Sequence, residues 1–234
     1  MNTIETFIKG VYGLDVNYSE RFVYLLAGIQ PKKGTNPQNT FETIRERGLI
    51  SEDLLPMTDS ISEYIDKTDI TKELEVKGQQ WLLLNDFKHE WLWNPLVRPH
   101  NFKDIMRDAL KTSPLAVSVT AWRKQDGVYV SDIGGNNHMC MAFKIADHGK
   151  YKDCVWIMDS YDHTIKVLHP DHNIRRAKRV WINRKTRLAL TRHITVLENI
   201  LKLFMPKTFL QICENHIGQD VTPQDKVPDD VACA

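Results

Sequence analysis

The chain has 234 residues, 42% of them hydrophobic and 26% charged, with a formal net charge of +1. That length suits one sizeable domain with additions or two small ones, and a charge so near zero gives no global pull toward nucleic acid or an acidic surface. No apolar run is long enough to span a bilayer and the start lacks a signal-peptide pattern; four cysteines without a CxxC pair argue against a thiolate zinc site and for a reducing compartment.

Residues 1–13, MNTIETFIKGVYG, read as a helix with Ile4, Phe7, Ile8 and Val11 on one face and a glycine stop. YSERFVYLLAG follows as a short helix opened by a serine cap. QPKKGTNPQ is rich in turn formers. The next stretch, to Ile50, reads as loop, helix and glycine stop, with Phe41, Ile44 and Arg45 at helical spacing. Residues 75–100, with Trp81, Trp91 and Trp93, have no clear period; the tryptophans read as core rather than a ligand box. NFKDIMRDALKTSP is a helix halted by Pro114.

From there the pattern turns to strands. LAVSVTAW alternates, with Leu115, Val117 and Val119 on one face, and GVYVSDI, HMCMAFKI, CVWIMDS, TIKVLH and RVWIN follow as further candidates. Helices first and a sheet second is the α+β arrangement. A last amphipathic helix is expected over roughly 186–213, where Leu190, Ile194, Leu197, Leu201 and Phe204 make an apolar seam for a partner helix.

The chemistry gathers around GGNNHMCMAFKI and VWIMDSYD. The polar loop between these runs predicts a hairpin in which His138 faces Asp159, Cys140 faces Ile157 and Ala142 faces Val155, with the turn centred between His148 and Gly149. Facing Cβ atoms lie about 5 Å apart, close enough for an imidazole–carboxylate hydrogen bond that would orient His138 as a general base. The plain alternative is a histidine bonded to a loop acid with no catalytic part.

The order of these motifs resembles the papain-like cysteine peptidases over roughly residues 1–183. YSERFVYLLAG is similar to the segment after that family's central helix, and GTNPQNTFETIRERGLISEDLLPM to the loop, helix and turn that follow. SPLAVSVTAW resembles the valine-rich strand after a proline. NNHMCMAFKI stands for the histidine strand, and VWIMDSYD for the strand ending in asparagine-serine-tryptophan-glycine. The resemblance implies a two-lobed α+β fold, helical on the left and an antiparallel sheet on the right, and a cysteine peptidase cleaving peptide or protein substrates without metal or other cofactor. His138 would be the base. Asp159 would orient it where the family usually has asparagine. Tyr161 would stand for the shielding tryptophan, and Gly34, Thr35, Asn36 and Asn137 would line the substrate cleft.

No cysteine precedes Cys140. Cys140 shares a strand face with His138 but sits about 7 Å along the strand, beyond hydrogen-bond reach. Cys154, expected across from Phe143, and Cys213 read as packing residues. The nucleophile is therefore expected upstream of Met1, which makes the chain a fragment of a longer phage or bacterial protein, inactive alone, in the cytoplasm or virion. Its parts would be the peptidase domain over 1–183, a helical segment over 184–216, and the start of a further module over 217–234. Two alternatives stand beside this: a non-catalytic scaffold binding a partner through Leu190, Ile194, Leu197 and Leu201, or a cell-wall hydrolase component using Cys233, which follows two acids at a helix start.

Two weaker signals complete the reading. The basic run from Ile174 to Arg187 reads as an edge strand whose charges block pairing rather than a phosphate patch. His163, His169, Asp171 and His172 fit a turn around Pro170 as well as they fit a metal site.

Overall fold

Local cap chemistry sets the helices much as the sequence predicts. In the computed structural model, residues 1–28, 36–94, 96–132, 138–159 and 164–185 are described, all within the unit Met1–Lys185; the other unit, Thr186–Ala234, lies outside the described residues, and with it the expected late helix, its partner seam, Cys213 and Cys233. Helix α1 (Asn2–Tyr12) ends where Gly13 turns left-handed at φ 67° and bonds the Lys9 carbonyl. Ile4, Phe7 and Ile8 are buried, but Val11 is not. Tyr12 takes the inward place instead: its hydroxyl donates to the Ile182 carbonyl at 2.6 Å and accepts from the Arg184 amide at 3.2 Å.

Helix α2 (Glu20–Leu26) is capped by Ser19, whose Oγ accepts from the Phe22 amide at 3.0 Å. Helix α3 (Pro37–Arg47) has Asn36 as its cap, proline in its first turn and Gly48 as its stop. Phe41 and Ile44 are buried, while Arg45 points out to Glu42. After the short α4 (Ile61–Tyr64), α5 (Lys72–Leu84) runs straight into strand β1 (Asn85–Trp91), which accounts for the mixed period of that segment. Helix α6 (Phe102–Ala109) follows.

The remaining strands are β2 (Leu115–Val119), β3 (Trp122–Gln125), β4 (Val128–Ser131), β5 (His138–His148), β6 (Tyr151–Met158), β7 (Ile165–Leu168) and β8 (Ile174–Arg184). They form one eight-stranded sheet in the order β1-β8-β2-β5-β6-β7-β4-β3, antiparallel except where β4 meets β7. Phe87, Ala116, Val180 and Ile182 face the core shared with α1, α2 and α3. The other face packs Val117, Val119, Cys140 and Ile157 with Met106 and Ala109 of α6. The fold is α+β, a helical lobe joined to a largely antiparallel sheet.

Strand β8 corrects the edge-strand reading of the basic run. It is paired on both sides, to β1 and to β2. Its charges are accommodated by partners: Arg179 bonds Glu90 at 2.5 Å and lies over Trp181. Lys178 is 1% exposed and points at α3. Its ammonium donates to Gln38 Oε1 at 2.9 Å and to His89 Nδ1 at 2.7 Å, and lies 4.3 Å from the Trp91 ring centre.

Burial, opposed by the attraction of Glu42 and Glu90, pushes the Lys178 ammonium down to about 8. Burial, and then the Lys178 charge, pushes His89 down to about 4. The native state therefore holds fewer protons than the unfolded chain between the folded and ordinary values of each group, and stability rises with pH across both windows. Unfolding free energy by urea should rise by about 0.5–1 kcal/mol from about pH 7 to about pH 8.5. That range stays below the region where the thiols of Cys140 and Cys154 and then Tyr64, all raised by burial, act in the opposite sense. Lys178→Met should flatten the rise; a slope that survives the substitution would show that the lysine does not cause it.

Candidate active site

His138 is the first residue of β5 and pairs with Val119 of β2, so its backbone is held by the centre of the sheet. Asp159 comes just after β6, is 1% exposed, and its amide bonds the Thr164 carbonyl. His138 Nε2 lies 2.9 Å from Asp159 Oδ1. The two predicted residues do come together, but not through the predicted register.

Met141 faces Met158 and Ala142 faces Ile157, rather than Cys140 facing Ile157 and Ala142 facing Val155. Carried one step past the end of β6, the observed pairing sets Asp159 across from Cys140, on the diagonal from His138. The turn is centred between Gly149 and Lys150, one residue later than expected, and this makes the difference, because the two register shifts within the hairpin, between Ala146 and His148 and between Ala142 and Lys144, cancel. A diagonal neighbour remains within reach of a long side chain such as histidine.

A third charged residue completes the group. Lys166 of β7 is 4% exposed, and its Nζ donates to Asp159 Oδ2 at 2.7 Å and to Thr164 Oγ1 at 3.3 Å. Each carboxylate oxygen thus has its own partner. An ionised carboxylate only accepts, so the proton in the His138–Asp159 bond sits on Nε2, and Nδ1 is the nitrogen that base chemistry would use.

Trp122 of β3 covers the pair, its ring edge-on to His138 with centroids 5.2 Å apart. The ammonium of Lys166 lies 5.5 Å from the Trp122 ring centre and 5.7 Å from that of Tyr129 on β4. Among the described residues, Trp122 is the ring that stands against the histidine of this pair. Tyr161 lies outside the described residues, as do Gly34, Thr35 and Asn137. Asn36 is described, and its side chain caps α3 by accepting from the Gln38 amide at 3.0 Å.

Neither thiol among the described residues is placed to attack. Cys140 is buried with Sγ turned toward the Val117 carbonyl, and burial, reinforced by the Asp159 charge, pushes its thiol far above the ordinary value. Cys154 pairs across from Ala146, not Phe143, and packs with Val128 and Val167; burial raises it too. An apolar groove of about 180 Å³ is lined by Met1 before α1, Ile4 of α1, Phe41 of α3, and Met139, Met141 and Met158 of the sheet; Met139 and Met158 are the chain neighbours of His138 and Asp159. Among the described residues, no three metal-ligating side chains converge.

Sequence reasoning missed Lys166 and Trp122. The signal for Lys166 was the alternation of TIKVLH, which puts the lysine on the same strand face as Leu168 and leaves Ile165 55% exposed.

No family model and no curated protein matches this chain. Solved structures match in fold. The cysteine protease Amb a 11 of ragweed pollen, in its proform, is 15% identical with a TM-score of 0.55, covering 79% of this chain and 57% of that one. Bromelain from Ananas comosus, bound to an inhibitor, is 17% identical with a TM-score of 0.56, covering 78% and 85%. A recombinant stem bromelain precursor is 16% identical with a TM-score of 0.52, covering 79% and 61%. The fold is therefore papain-like, and these structural neighbours are papain-like cysteine proteases. The chain spans little more than half the length of the Amb a 11 proform it matches. Ragweed and Ananas comosus are plants, which lends the expected phage or bacterial setting no support.

Proposed function

We propose that this chain carries the base half of a cysteine-peptidase site: His138 as general base and acid, Asp159 as the residue that orients it, and a thiol supplied from outside residues 1–185. The observation that carries the reading is the buried His138 Nε2–Asp159 Oδ1 bond of 2.9 Å at the end of a sheet strand in a papain-like fold. The thiol is placed elsewhere because Cys140 and Cys154 are buried and engaged in packing. A segment that continues α1 in the N-terminal direction is favoured as its source, since the apolar groove adjoins the first turn of α1 and the strand neighbours of both His138 and Asp159.

In that site Nδ1 takes the thiol proton and the thiolate adds to the substrate carbonyl. The imidazolium, hydrogen-bonded through Nε2 to Asp159, then protonates the departing amine as the C–N bond breaks, leaving a thioester. Water, losing a proton to the same nitrogen, attacks the thioester and releases the acid and the thiol. No metal is needed at any step.

A thiol-reactive peptide probe tests this. It should leave residues 1–234 unlabelled and label a version extended upstream, with labelling lost on His138→Ala. Labelling of the 234-residue chain at Cys233 that depends on His138 would move the nucleophile to the C-terminal end. Absence of labelling in every version would defeat the peptidase reading.

A further inference from the structure

The side chain bonded to His138 is itself bonded to a buried cation. Asp159 is 1% exposed and Lys166 4% exposed, so water screens neither, and the 2.7 Å contact between them is the main compensation for two buried charges. The carboxylate cannot swing, because Oδ1 is held by the imidazole and Oδ2 by the ammonium. We propose that Lys166 is a positioning residue that makes Asp159 act on His138 as an electrically neutral hydrogen-bond acceptor, in the way an asparagine would.

The electrostatic argument follows from the charges. A lone buried aspartate next to an imidazole favours the imidazolium strongly, and a base that already holds its proton accepts none from a thiol. With Lys166 on the second oxygen, the Asp159–Lys166 unit has no net charge, and what remains is a hydrogen bond that fixes the ring. Trp122 and Tyr129 exclude water from the ammonium and offer it only ring faces, so its formal charge is directed at Asp159. Among the described residues, the titratable groups around the ring are Asp159, Lys166, Tyr129, Cys140 and, across Trp122, His172. Burial drives His172 down to about 4 and Cys140 far up, so neither charge changes near neutral pH.

The catalytic meaning of this device rests on the peptidase reading, but its test does not. The titration of the His138 ring is followed by NMR in the 234-residue chain, assigned by its loss in His138→Ala. Lys166→Met should raise the midpoint by about one unit or more, because a nearby positive charge is removed while the carboxylate stays. The double variant Lys166→Met with Asp159→Asn removes both charges and keeps an acceptor. Its midpoint should return to within about half a unit of the parent. An unchanged midpoint in folded Lys166→Met, or a double variant displaced by more than about one unit, overturns the proposal. Should Lys166→Met not fold, the double variant, which leaves no buried charge unpaired, decides alone. The expected shifts together with a failure of every probe experiment would leave the charge coupling standing and remove only the peptidase reading.

Discussion

Gly48→Ala is expected to destabilise the helical lobe by about 3–5 kcal/mol, adding the cost of overpacking to that of a backbone conformation open almost only to glycine. Gly48 ends α3 at φ 75° and ψ −161°. A Cβ there would lie 1.9 Å from the Gly78 carbonyl oxygen, and a Cβ on Gly78 would lie 2.3 Å from the Arg47 carbonyl oxygen and 3.1 Å from the ring of Phe22. The end of α3 thus passes α5 backbone to backbone, beside a phenylalanine with no exposed surface. Neither helix can move apart without opening the core that holds Phe22 and Ile44. Gly10 is the internal control, since it sits inside α1 with nothing within 4 Å of an added Cβ. Gly10→Ala should stabilise by about 0.5–1 kcal/mol, as helix propensity alone dictates. Urea unfolding of both variants reads the contrast in sign. A loss below about 1 kcal/mol for Gly48→Ala would falsify the close approach of the two helices.

Asp159→Ala is expected to cost about 3–5 kcal/mol of stability, which is the usual consequence of removing one partner of a buried ion pair. The loss arises less from the missing bonds than from Lys166, left 4% exposed without its carboxylate. Asp159→Asn should cost less, because its amide oxygen still accepts from one neighbour. Urea unfolding near pH 7 checks the order of the two variants. An Asp159→Ala protein as stable as the parent would mean that the Lys166–Asp159 contact is not formed in solution.

Much of the scaffold was legible. Ser19, Gly13 and Gly48 announce helix ends because caps act within a few residues, and each does so in the structure. The alternation of LAVSVTAW puts Leu115, Val117 and Val119 inward, and all three are fully buried. The His138–Asp159 encounter was legible too, since two strands joined by a short polar loop bring their far ends together in almost any register. The register itself was not. The turn falls one residue later than the loop's symmetry suggests, which slides the pairing by two residues at the far end, and a polar loop does not mark its own centre.

Buried lysines were the largest blind spot. A charged residue in a strand pattern is assigned to the solvent face, because burying it alone is costly. Lys166 and Lys178 are buried since each arrives where acceptors and rings from other elements already stand: Asp159, Thr164 and Trp122 for one, Gln38, His89 and Trp91 for the other. Placing the basic run at an edge failed for the same reason, since the partners that let β8 run between β1 and β2 lie 55 to 140 residues away in the chain.

By itself, then, the sequence determined the types of element, their ends, and the reach of one histidine to one aspartate, all of which depend on residues near one another in the chain or on a single hairpin. Only the tertiary structure decided that a lysine from the next strand neutralises that aspartate and that Trp122 covers the group. The free energy of a buried charge depends on which distant groups surround it, and that surrounding exists only once the sheet has assembled.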